Sequence, residues 1–143
     1  MKNKIVRNIA AVLLGIIIGS IVNMSIISLG PLLVGVPEGV NPQDIESIKR
    51  NLHLYEAKHF LIPILAHGIG TLCGAFVATK IALSRKKIFA IIIGLWFLLG
   101  GSMMVYLLPN QPQWVIICDL VLAYLPMGWI GYKIADKKDN KNT

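Results

Sequence analysis

Apolar residues crowd into four long stretches, residues 8–34, 60–83, 88–108 and 114–134, and polar residues gather between and beyond them. A helix needs about 20 predominantly apolar residues to cross a bilayer, and each stretch meets that length. Away from their ends the stretches hold no Lys, Arg or Glu, and Asp119 is the one acid inside any of them. The pattern predicts an all-α membrane protein: a four-transmembrane-helix bundle, with residues 1–143 as a single integral membrane domain.

The finer pattern predicts how the helices pack. In the first stretch Ala11, Gly15, Gly19 and Asn23 recur every four residues, a spacing that puts them on one face. In the second, Ala66, Gly70, Gly74, Ala78 and Ala82 form a longer row of the same kind. Small residues let membrane helices approach closely where no hydrophobic drive exists between them. The two rows are expected to face each other, with a homodimer seam as the alternative. Gly30-Pro31 should loosen or end the first helix. Pro126 should kink the fourth, because it removes a backbone donor.

Between the first two stretches lies the one sizeable polar segment. Asn41-Pro42 reads as an N-cap followed by proline at the first helical position. Ile45, Ile48, Leu52 and Tyr55 then recur at helical spacing. This predicts an amphipathic helix over residues 42–58 lying on the outer surface or capping the bundle. Tyr55, Phe60, Tyr106 and Trp114 are expected at the outer interface, and Phe89, Trp129 and Tyr132 at the inner one.

Charge sets the direction. Of 14 Lys and Arg, eleven fall on one side: Lys2, Lys4 and Arg7, then Lys80, Arg85, Lys86 and Lys87, then Lys133, Lys137, Lys138 and Lys141. By the positive-inside rule that side is cytoplasmic, and with it both termini. The net charge of +7 is thus first a topology signal. These cations flank apolar helices, which speaks for anionic lipid headgroups and against nucleic acid as a partner. The mean hydropathy of +0.68 agrees. The first stretch is too long for a signal-peptide core, and no small-x-small cleavage site follows it. Cys73 and Cys118 lie inside predicted helices and form no CxxC motif; packing is their expected role.

A polar or ionisable residue in hydrocarbon is a functional candidate by default. Counted along the helix rise, Asn23, His67 and Asp119 fall at similar depth in the outer half of the membrane. They form a candidate proton, cation or ligand site, with interhelical hydrogen bonding as the structural alternative. His53, Glu56 and His59, spaced three apart, are candidate metal ligands by chemistry, though the spacing is not His-Glu-x-x-His. Gly15, Gly19, Ala66, Gly70, Gly74 and Ala78 are the candidate packing residues. There is no phosphate-binding glycine loop and no Gly-x-Ser-x-Gly, and no cofactor is expected.

Gly19-Ser20-Ile21-Val22-Asn23-Met24, Glu56-Ala57-Lys58-His59-Phe60 and the run from Asp119 to Tyr124-Leu125-Pro126 resemble small uncharacterised four-helix proteins of bacterial cytoplasmic membranes. That resemblance implies location and helix number and carries no activity. The small multidrug transporters share size and helix count, but they place a glutamate in helix 1 where this chain offers Asn23. The leading expectation is a non-enzymatic accessory or interaction subunit, partnered by itself or another membrane protein within the lipid bilayer. A small transporter or channel built on Asn23, His67 and Asp119 is the first alternative. A membrane enzyme with the outer histidines as metal ligands is the second.

Overall fold

In hydrocarbon every backbone N–H and C=O must find its partner within the protein, so apolar runs of this length form helices. The computed structural model describes residues 2–139, which are all-helical apart from turns and loops. Lys141, counted above with the basic side, lies outside the described residues, as do the side chains of Lys2 and Lys138. The elements are α1 (Lys2–Val34), α2 (Ile45–Arg50), a 3₁₀ turn (Leu52–Leu54), α3 (Ala57–Ile81), α4 (Lys86–Leu107), α5 (Gln113–Leu122) and α6 (Leu125–Asp139). Four helices are long and apolar enough to cross a membrane: α1, α3, α4, and the α5–α6 pair taken together.

The central helix is α3, which packs against α1, α4, α5 and α6. Its most apolar window is 39% buried inside the bundle, against 17% for α1. The outward faces are apolar: Leu99 is 69% exposed, Ile117 61% and Leu13 55%. Such a surface suits lipid and would be a liability in water.

The small-residue rows meet as antiparallel partners. A Cβ placed on Gly15 would lie 2.8 Å from the Gly74 carbonyl oxygen, and one on Gly19 would lie 2.8 Å from that of Gly70. Ala11, Ala66 and Ala78 are fully buried, and the Ala78 Cβ is 3.0 Å from the same Cβ placed on Gly15. The seam is therefore occupied within the chain, which removes it as a homodimer surface.

α1 runs through Pro31 to Val34, where the first apolar stretch ends, and Gly35, at φ +77°, turns the chain away. Three local expectations change. The helix expected over residues 42–58 is instead α2, six residues long, and a separate 3₁₀ turn. Asn41 forms an Asx turn with the Gln43 N–H rather than a cap, and Asp44 caps α2 through the Glu46 N–H. At the other end the Asn51 amide bonds back to the Ser47 carbonyl, and Leu52 drops into a core with Phe60 and Val115. That burial also overturns Phe60 as an interfacial residue, since it is 7% exposed. The fourth span is interrupted at Ala123 and Tyr124, just before Pro126 where a kink is expected; Ala123 keeps helical backbone angles, and helix-type bonds run from its N–H to Asp119 and from the Gly128 N–H to Tyr124.

Candidate functional site

His67 projects from the middle of α3, and Asp119 from α5, one turn before that helix ends. Their side chains meet: His67 Nδ1 lies 2.8 Å from Asp119 Oδ1. A third residue, Tyr124, completes the group. Its hydroxyl donates to Asp119 Oδ2 at 2.7 Å and lies 2.9 Å from His67 Nδ1. The two rings stack with centroids 5.7 Å apart. Asp119 is 7% exposed and Tyr124 1%.

The Tyr124 hydroxyl donates to Asp119. If Asp119 carries the charge, His67 Nδ1–H donates to its other oxygen, and a neutral His67 then keeps its lone pair on Nε2.

Tyr124 is the residue sequence reasoning missed. Asp119 and Tyr124 are five apart, which on a continuous helix turns them about 140° from each other. The break at Ala123 and Tyr124 swings the tyrosine back over the carboxylate. Pro126 is the available signal, because it cannot donate to the Leu122 carbonyl and its ring crowds that carbonyl.

Asn23 does not join the group. It packs against Gly70, where its Cβ lies 2.8 Å from a Cβ placed on that glycine, and its side-chain oxygen has no hydrogen-bond partner among the described residues. Nor do the other two histidines converge. His53 is exposed, Glu56 pairs with Lys58 at 3.2 Å, and His59 Nδ1 accepts the Glu56 backbone N–H at 2.9 Å. Among the described residues no three His, Cys, Asp or Glu side chains are arranged to hold a metal.

A cavity of about 190 Å³ reaches the pair from the end of the bundle opposite the basic one. Its walls are apolar, built from Phe60, Ile64, Met104, Leu108 and Val115, and His67 and Asp119 lie at its inner end. Tyr55, His59 and Gln111 supply the remaining polar groups at its other end. Burial there raises the Tyr55 phenol pKa above its ordinary value. A smaller hollow of about 130 Å³ adjoins it, sharing Ile27, Ile48, Tyr55, His59 and Pro63 as a common wall. Toward the basic end, Ala75, Ala78, Ala90 and Ile93 fill the bundle, so the larger cavity is blind. Comparison with protein-family models, curated proteins and solved structures finds no match.

Proposed function

We propose that this chain is a multi-pass protein of the bacterial cytoplasmic membrane, with both termini inside, that binds a small cationic amphiphile in its outer cavity in exchange for a proton. The orientation rests on the basic end. Lys4 and Arg7 of α1 share that end with the 82–85 loop, and the Arg7 Nε–H donates to the Ile81 carbonyl at 2.8 Å. Lys87 and Lys133 both lie over the Trp129 ring there, at 4.8 and 4.9 Å.

One observation carries the reading: a blind apolar cavity whose inner end is a hydrogen-bonded His67–Asp119 pair. Such a site is a hydrophobic pocket with few convergent polar groups, the usual form of a small-molecule site. With Asp119 ionised and His67 neutral, the pair is net negative and attracts a cationic head. A proton on Nε2 cancels that charge, so proton and cation compete. The volume exceeds the roughly 150 Å³ that admits one benzene ring, which favours a ligand built on a single ring.

The blind inner end speaks against an open channel. The lining holds no Ser, Thr or Cys, which leaves covalent catalysis without those nucleophiles. An accessory-subunit role leaned on the small-residue faces, and α1 and α3 use those on each other.

Purified protein in nanodiscs, titrated with benzylammonium in weak buffer, tests this. We expect saturable binding accompanied by proton release, both abolished in Asp119→Asn and His67→Gln. Binding that survives Asp119→Asn, or no binding at all at neutral pH, refutes the reading.

A further inference from the structure

The basic end has an opening of its own, a groove of about 610 Å³ between α1 and α4. Its polar lining is Lys4, Asn8, Ser84 and Arg85, and no acidic residue contributes. Below these the wall turns apolar, with Ile5, Ile9 and Leu13 on α1 and Phe89 and Ile92 on α4. Ile5, Ile9 and Leu13 are each more than half exposed. From Lys4 to Leu13 the helix rises about 14 Å, close to the depth of one leaflet's hydrocarbon, about half of 30 Å.

The mouth of the groove is tied together. Asn8 donates to Ser84 Oγ at 3.1 Å and accepts the Leu83 N–H at 3.0 Å. Arg85 adopts φ +51°, a left-handed conformation uncommon for residues other than glycine. Two cations thus stand on a fixed rim above an apolar trough.

We propose that this groove holds one anionic phospholipid, its phosphodiester between Lys4 and Arg85 and an acyl chain along Ile5, Ile9 and Leu13. The guanidinium fork suits phosphate oxygens, and the ammonium adds a point charge. Ser84 accepts from Asn8 and keeps its own hydroxyl proton to donate. With two cations and no acid in the lining, the site prefers a net negative lipid to a zwitterionic one. This inference is independent of the outer cavity.

The test is native mass spectrometry of the whole chain released from nanodiscs of mixed phosphatidylglycerol and phosphatidylcholine. One phosphatidylglycerol should be retained per chain. Lys4→Gln and Arg85→Gln should each weaken retention about fivefold, while Lys137→Gln, at the same end but outside the groove, should not. Ile9→Trp fills the trough and leaves both cations, and it should abolish retention; Leu13→Trp replaces it if Ile9→Trp lowers the unfolding midpoint. Equal retention of the two lipids overturns the proposal. So does full retention in the trough-filling variant, which would mean diffuse attraction to the surface, or a Lys137→Gln loss as large as that of Lys4→Gln.

Discussion

Gly100 and Gly101 are neighbours on α4 with opposite surroundings, and they give a sharp test of how the buried triad is held. A Cβ on Gly100 meets nothing within 4 Å. A Cβ on Gly101 falls on the Tyr124 hydroxyl and ring, with Cε2 2.9 Å away. Tyr124 is fully buried and cannot swing aside without leaving Asp119 and His67. Gly101→Ala should therefore cost about 1–3 kcal/mol for overpacking. Two weakened hydrogen bonds add about 0.6 kcal/mol each, the average for membrane helices, for a total of about 2–4 kcal/mol. Gly100→Ala should stay within about 1 kcal/mol of wild type, since only helix propensity changes. Reversible unfolding in mixed micelles, followed by the fluorescence of the three tryptophans, measures both. Adding Tyr124→Phe to Gly101→Ala removes the hydroxyl and should restore part of the loss, because the ring carbons still crowd the new methyl. Equal stability of the two alanine variants, or no recovery in the double variant, would refute this account of the packing.

Tyr124→Phe alone should destabilise by about 0.6–1.7 kcal/mol, since it leaves Asp119 Oδ2 without its donor, and benzylammonium affinity should change with it. Gly74→Val should cost more than Gly100→Val in the same unfolding assay, because a Cβ at Gly74 lies 2.6 Å from the Gly15 carbonyl and α1 must move away. His59→Ala removes the acceptor for the Glu56 N–H and should cost about 0.5–2 kcal/mol, as lost caps do; added zinc or a chelator should leave the wild-type midpoint unchanged. The Tyr55 phenol, raised by burial, favours the folded state fully below its unfolded value of about 10. That contribution falls as the pH climbs above it, so the melting temperature should drop more steeply there in wild type than in Tyr55→Phe.

The sequence by itself determined the four apolar helices and the meeting of α1 with α3. Both follow from rules that act within a helix: lipid demands an internally bonded backbone, and a four-residue spacing of Gly and Ala lays a smooth face along it. It also marked His67 and Asp119 as the costly groups, because burial of a titratable side chain is legible wherever a long apolar run surrounds it. Their pairing, the third member Tyr124 and the cavity above them were decided by tertiary structure. Asp119 and His67 are 52 positions apart, and only the packing of α5 on α3 joins them. Tyr124 reaches them because the helix breaks between α5 and α6, so the periodicity that places residues elsewhere misplaces this one. The segment between α1 and α3 shows the same limit: its apolar stripe has helical spacing, yet burying Leu52 beside Phe60 and Val115 outweighs the marginal stability of one long isolated helix.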